Sequence, residues 1–463
     1  MAQATVHTAT EVQRLADFAT VARWQDVSAP AREALRVRLL DAVACALGAR
    51  LAQVPQRIRG LVEADGGAAT ASLIGGGAST PDRAALYNGA MVRYLDFNDA
   101  YLAPGETCHP SDNIAPLLAA AESSGGGSLD FLTGLAVAYQ VQCRLSDEAP
   151  VRGHGFDHSV QGAYAVAAGA ARAMRLSQPE AANGIAIAGT SQNALRVTRT
   201  GILSNWKGLA YPFMAAGALQ SIRLAAAGIT GPLEVFEGNK GLKDAIAGPF
   251  TIDWRHEDLE RVRHTITKRY NAEIHAQSAI EGVLELRAKD GGPRPDVSIS
   301  LETFQVAYDI IGGGEEGGKK RIRTKEEADH SLPYMLAVAY LDGELTPRQY
   351  LAERILADDV QALLQRVAVR PAQDLSERFP KEMACRLAIS TPDGRVAQAE
   401  KRDYLGFTSR PAPYGQIADK LVSLGDGAPK DLIARIVDTV HELENRPLSD
   451  LTALIRQIPV GGR

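Results

Sequence analysis

From about residue 10 to residue 241 the apolar positions recur every three or four residues, the period of helices packed on one face. "AREALRVRLLDAVACALG" (31–48) places Leu35, Leu39, Val43 and Leu47 on one side and ends on a glycine. "SLDFLTGLAVAYQVQCRLSD", "SVQGAYAVAAGAARAMRLS", "SQPEAANGIAIAGTSQ" and "YPFMAAGALQSIRLAAAG" repeat the period, and the last three are rich in Ala and Gly, which lets helices approach closely. Ser128 and Ser177 stand as N-caps, the latter with Glu180 three residues on as in a capping box.

After about residue 265 the pattern changes. "YNAEIHAQSAIEGVLELRAKDGGP" reads as a helix stopped by Gly-Gly-Pro, and "VSISLETFQVAYDII" (297–311), rich in β-branched and aromatic residues, reads as a strand. "DHSLPYMLAVAYLDGELTPRQY" returns to helix, and "MACRLAISTPDGRVAQAEKR" (383–402) reads as a β-hairpin around Pro-Asp-Gly. Two amphipathic helices close the chain. The expected fold is mainly α with a smaller α+β domain: a helical domain over 1–265, an α/β domain over 266–404, and C-terminal helices over 405–463 that pack back on the first domain, since two helices alone bury too little surface.

One stretch breaks the Ala-rich texture. "YLDFNDAYLAPGETCHPSDNIAP" (94–116) holds three Asp, two Asn, one Glu, one His, one Cys and three Pro. A linker would not sit between two helices of one domain, so a functional loop is the better reading.

Bulk composition narrows the classes. The chain has 463 residues, 45% hydrophobic and 23% charged, with a net charge of −5 and no basic stripe, which argues against nucleic acid as a partner. No apolar run of membrane-spanning length is evident. Four scattered cysteines without a CxxC pair, and no secretory signal, point to reduced thiols in a cytoplasm. The nine histidines lack metal-ligand spacing, and no GxGxxG or GxxxxGK[ST] sits in strand–helix context, so neither a metal nor a cofactor is expected.

Candidate chemistry gathers at loop-to-helix junctions. His109 precedes Pro110, with Ser111, Asp112 and Asn113 following; this is either a capped turn or a rigid helix start that presents an imidazole and backbone amides to an anion. Asp96 and Asp99 either orient a His or Lys or cap a helix. His154 and His158 sit among glycines, and Lys207 lies in a polar loop before an almost uncharged helix, where it either snorkels or serves as a fixed cation. Lys268, Arg269 and Tyr270 precede a segment carrying His275, and His330, Ser331 and Tyr334 mark one more such junction. Cations and neutral acid–base groups together suit a small polyanion bearing carboxylates, without naming a reaction.

These segments resemble the MmgE/PrpD family along nearly the whole chain: "YLDFNDAYL…HPSDN", "GFDHSVQG", "SNWKGLAYPFMAAGA", "FEGNKGL…GPF", "KRYNAEIHAQSAIEG" and "RTKEEADHSLPYMLAVAYLDG". The resemblance implies a large helical domain with an α/β lid, in a homodimer. It implies catalytic roles for Asp96, His109, Lys207, Lys268, Tyr334 and the more variable His158, with Ser111, His275 and Arg199 as substrate-binding candidates. Members often carry Thr after the LDFxD motif, where this chain has Ala100. "HPSDN" and "LDFND" look more like the dehydratase branch. The implied activity is therefore metal-independent dehydration of 2-methylcitrate or a similar hydroxylated tricarboxylate. Lys207 and Lys268 would hold carboxylates, while His109, oriented by Asp96, and Tyr334 would move protons. Decarboxylation of cis-aconitate, epimerisation of iminodisuccinate and non-catalytic carboxylate binding are the alternatives.

Overall fold

The computed structural model describes residues 9–289, 291–294 and 296–461. The helical region opens with α1 (Glu11–Val21), capped by Thr10 with Gln13, and α2 (Ala29–Gly48), whose first turn is held by the Ser28 hydroxyl accepting from the Ala31 amide. It continues through α3 (Gln53–Asp65), α4 (Pro81–Arg93), α5 (Ile114–Ser123), α6 (Ser128–Glu148), α7 (Ser159–Ala173), α8 (Gln178–Ser191) and α9 (Trp206–Ala226). The Ser177 capping box forms as read, with Glu180 accepting from the Ser177 amide at 2.8 Å. At α6 the cap is Gly127 instead, and the Ser128 hydroxyl turns to the carbonyl of Arg446.

Small residues set the helix spacing. Gly134 of α6 and Gly169 of α7 face each other so closely that a Cβ on Gly169 would lie 2.7 Å from the Gly134 carbonyl oxygen. Gly89 of α4 meets Pro212 inside α9 in the same way. The helical run ends sooner than its periodicity suggests: residues 227–276 form loops and short turns.

The second body is a four-stranded sheet backed by α10 (Gln277–Lys289), α11 (Leu332–Asp342) and α12 (Asp358–Gln365). Its strands are β3 (Ser298–Thr303), β4 (Val367–Pro371), β5 (Cys385–Ser390) and β6 (Val396–Lys401), counted after a small hairpin, β1 (Tyr101–Ala103) and β2 (Glu106–Cys108), in the helical body. The order is β4-β3-β5-β6; β3 and β4 run parallel, and the other pairs are antiparallel. Cys385, Leu387 and Ile389 point inward at period two, against Ile280, Val283 and Leu336.

The strand expected over 297–311 stops at Thr303, and the chain then coils through 305–312. Ala307 and Ile311, four apart, are both buried, and Gln305 donates to Asp309 at 2.8 Å, both helical spacings hidden within a β-rich composition.

The helices α13 (Tyr414–Leu424), α14 (Lys430–His441) and α15 (Leu448–Ile455) share one apolar core with the N-terminal helices. Lys420 of α13 donates to Asp41 of α2 at 2.7 Å. Among the described residues no helix is long and apolar enough to cross a membrane.

Candidate active site

After α4 the backbone turns sharply, and Asp96 adopts a φ of 50°, a left-handed conformation that a non-glycine residue holds only when its surroundings fix it. What fixes it is charge. Lys268 donates to the Asp96 carbonyl at 2.7 Å and to its carboxylate at 3.0 Å, Lys207 reaches the other carboxylate oxygen at 3.1 Å, and Arg93 closes on it from α4. Burial alone would raise the Asp96 carboxyl, but Arg93, Lys268 and Lys207 outweigh it and hold the group well below the usual carboxylate range.

Lys207 also donates to Asp329 at 2.8 Å and lies 2.8 Å from His330 Nδ1, which is itself 2.8 Å from Asp329 Oδ1. Asp96, Asp329 and His330 stand as close together as metal ligands would, yet the cation they surround is the Lys207 ammonium. Asp329 is further paired with Lys325 at 2.8 Å.

The β1–β2 hairpin, reversing at Pro104-Gly105 with Gly105 at φ +84°, brings His109 back beside Asp99. His109 Nδ1 lies 2.7 Å from the Asp99 carbonyl oxygen. A carbonyl only accepts, so Nδ1 carries the proton and Nε2 keeps its lone pair. Burial, with Arg93 and Lys268 nearby, pushes this imidazole well below its ordinary value, and it is neutral. The carbonyl of Asp99, not the carboxylate of Asp96, orients the ring. Asp99's own carboxylate accepts from the Ser111 amide and the Tyr139 hydroxyl, and the Ser111 hydroxyl accepts from Asn98 at 2.9 Å; Ser111 is thereby bound into the wall.

His158, at the start of α7, lies edge-on to His109 with ring centroids 5.5 Å apart. Burial drives it down to about 3, against the pull of Asp157, and its Nε2 has no hydrogen-bond partner. From the other body, His275 has Nδ1 2.8 Å from Glu273 and its Nε2 likewise unpartnered. Together with His330, these imidazoles line a cavity of about 40 Å³ between the two bodies. That volume admits only a few waters, at roughly 10–15 Å³ each. With the walls in this arrangement it cannot hold a tricarboxylate.

Several expected residues are placed otherwise. Neither Lys207 nor Lys268 lines the cavity; their ammonium groups lie behind Asp96, so in this arrangement they shape the charge of the wall and are not free to hold a substrate carboxylate. Tyr334 is farther away: its hydroxyl donates to the Gln349 carbonyl and its ring sits in the core beside Tyr350, which leaves a proton-transfer role without support. Arg199 lines the cavity, but its guanidinium is tied to Asp157 and to the Lys207 carbonyl. Ala100, in place of the family threonine, exchanges backbone bonds with Ile266 and buries its methyl against Phe304 and Met383.

Arg93, Arg152, Arg196, Glu273 and Glu316, none of them among the residues expected from the motifs, also line the cavity. Arg93 lies two residues before the LDFND segment and Glu273 two residues before His275, so proximity to those motifs was an available signal. Arg152, Arg196 and Glu316 meet across more than a hundred residues, and no local spacing marks them.

Residues 13–255 match the MmgE/PrpD N-terminal domain and residues 270–443 the MmgE/PrpD C-terminal domain. The chain is 28% identical over 427 residues to the 2-methylcitrate dehydratase of Cupriavidus necator, covering 85% of each chain. It is 26% identical to the mitochondrial 2-methylcitrate dehydratase of Yarrowia lipolytica, over 85% of this chain and 79% of that one. To the 2-methylcitrate dehydratase of Escherichia coli O157:H7 it is 29% identical, spanning 58% of each chain. The collinear motifs, the two-body fold and the match of both domains carry one conclusion: this chain belongs to the MmgE/PrpD family.

Proposed function

We propose that the protein is a dehydratase that eliminates water from a hydroxylated tricarboxylate, with 2-methylcitrate the first substrate to test. The observation that carries this reading is the neutral, fixed imidazole of His109, its Nε2 lone pair unblocked by any hydrogen bond among the described residues and beside the likewise unpartnered Nε2 of His158. Nε2 of His109 removes a proton from the carbon next to a carboxylate, and the electron pair forms the C=C bond as the β-hydroxyl leaves. His158, whose Nε2 has no hydrogen-bond partner among the described residues, hydrogen-bonds that departing oxygen, which leaves as water with the proton that His109 took up. A polyanionic substrate raises the proton affinity of His109 at the moment it is needed, offsetting Arg93 and Lys268. The buried cations around Asp96 provide fixed positive potential for the enolate-like charge.

The chemistry asks nothing of a metal in this proposal, and the four free, buried thiols fit a reducing compartment. A homodimer, tested by light scattering, completes it.

The test is a substrate panel. Purified protein is incubated with 2-methylcitrate, cis-aconitate and iminodisuccinate, and products are identified by NMR alongside CO2 release. Formation of the enoate from 2-methylcitrate is the expected result. CO2 from cis-aconitate, or inversion of iminodisuccinate, with 2-methylcitrate left intact would replace dehydration by the corresponding family chemistry.

A further inference from the structure

Buried charges need partners, and at this site every cation lining the cavity already holds an internal carboxylate. A substrate carboxylate must therefore displace one. Asp96 and Asp157 belong to the helical body and are each locked by several bonds. Glu316 is different. It comes from the second body on the run Gly312-Gly313-Gly314-Glu315-Glu316-Gly317-Gly318, where Gly313 and Gly317 take φ of 112° and 93°. Although only 7% exposed, it reaches the helical body through Oε1 alone, 2.7 Å from Arg196 and 3.4 Å from Arg152, while its buried Oε2 has no partner.

Glu316 also lies in a second wall. On its far side is a pocket of about 460 Å³, lined by Ile202, Lys319, Arg321 and Arg323, with Glu327 as its other carboxylate. Most of this lining is exposed, with Ile202 at 92%. Glu316 thus lines both a basic outer pocket and an inner cavity too small for a tricarboxylate, and a glycine run carries it.

We propose that the Glu316 carboxylate is a stand-in for a substrate carboxylate: the substrate arrives through the outer pocket, exchanges with Glu316 on Arg152 and Arg196, and the 312–318 loop swings aside. Arg152 and Arg196 then select for the third carboxylate of the substrate. This rests on the polycarboxylate reading above but not on the reaction. Displacement by a substrate anion keeps both guanidinium groups paired throughout, so neither is left as a partly buried unpaired charge.

The test is calorimetric titration with tricarballylate, a tricarboxylate with no hydroxyl to eliminate, and with succinate as a dicarboxylate control. Glu316→Gln keeps the shape and removes the competing charge; it is expected to bind tricarballylate about tenfold tighter, a change of about 1.4 kcal/mol, with a smaller gain for succinate. Glu316→Ala should show the same gain. Arg196→Ala is expected to weaken tricarballylate at least tenfold and to abolish the gain from Glu316→Gln in the double variant. Unchanged or weaker binding by Glu316→Gln overturns the proposal, as does a gain that survives in the Arg196→Ala background or a failure of tricarballylate to bind at all. A tighter Glu316→Gln complex with no turnover of 2-methylcitrate would retain the gate and discard the dehydratase; turnover with unaltered Glu316→Gln affinity would do the reverse.

Discussion

Asp96 is the residue on which the buried charge balance turns, because Arg93, Lys207 and Lys268 all converge on one carboxylate. Removing its charge leaves cations without compensation, so Asp96→Asn should lower unfolding stability by about 3–5 kcal/mol, read from urea denaturation at neutral pH. His158 makes a pH-dependent statement. Its folded value of about 3 lies below the ordinary 6.5 of the unfolded chain, chiefly through burial. Below pH 6.5 the unfolded state takes up a proton that the folded state refuses, so this contribution is complete above pH 6.5 and is lost as pH falls toward 3. The loss is roughly 1.4 kcal/mol per pH unit. His158→Gln should therefore flatten the fall in urea midpoint between pH 6.5 and 5; a slope identical to wild type would contradict the assignment. At this scale the sequence names residues but not the relations between them. His109 was recognisable from its HPSDN context, but a backbone carbonyl such as that of Asp99 leaves no trace in side-chain identity. Tyr334 carried a motif, yet the path of its hydroxyl toward Gln349 depends on tertiary packing.

At the level of elements, the close approach of α6 and α7 holds the start of α7, and with it His158, against the hairpin that carries His109. Gly169→Ala would push a methyl against the Gly134 carbonyl, which is backbone and cannot swing away. The expected loss is about 1–3 kcal/mol in chemical denaturation, typical of overpacking, and a neutral result would mean the helices can part without strain. The Ala/Gly texture of these helices implies this packing in the sequence itself. Helical period and the Ser177 capping box were legible because they are local. The coil after Thr303 was not, since Val306, Ile310 and Ile311 favour strand by composition while their tertiary neighbours favour a helical turn. The β1–β2 hairpin was hidden for the opposite reason: its strands are only three residues each, too short to show a period.

For the whole molecule, the cavity exists only because two bodies meet: His109, His158 and Arg196 come from one, His275, Glu316 and His330 from the other. The composition shift near residue 265 signalled two bodies, while the return of α13 to α15 to the first core followed from the need of short helices to bury surface. The pairing of Arg196 with Glu316 bridges those bodies, and sequence alone had no means to show it. The role of His109 Nε2 as the base of a dehydration at this interface can be read from the initial rate of enoate formation from saturating 2-methylcitrate, in wild type and in a His109→Gln variant with unchanged thermal unfolding. Turnover by wild type and a rate about 10²–10⁴-fold lower in the variant are expected; a variant that keeps the wild-type rate would rule that role out.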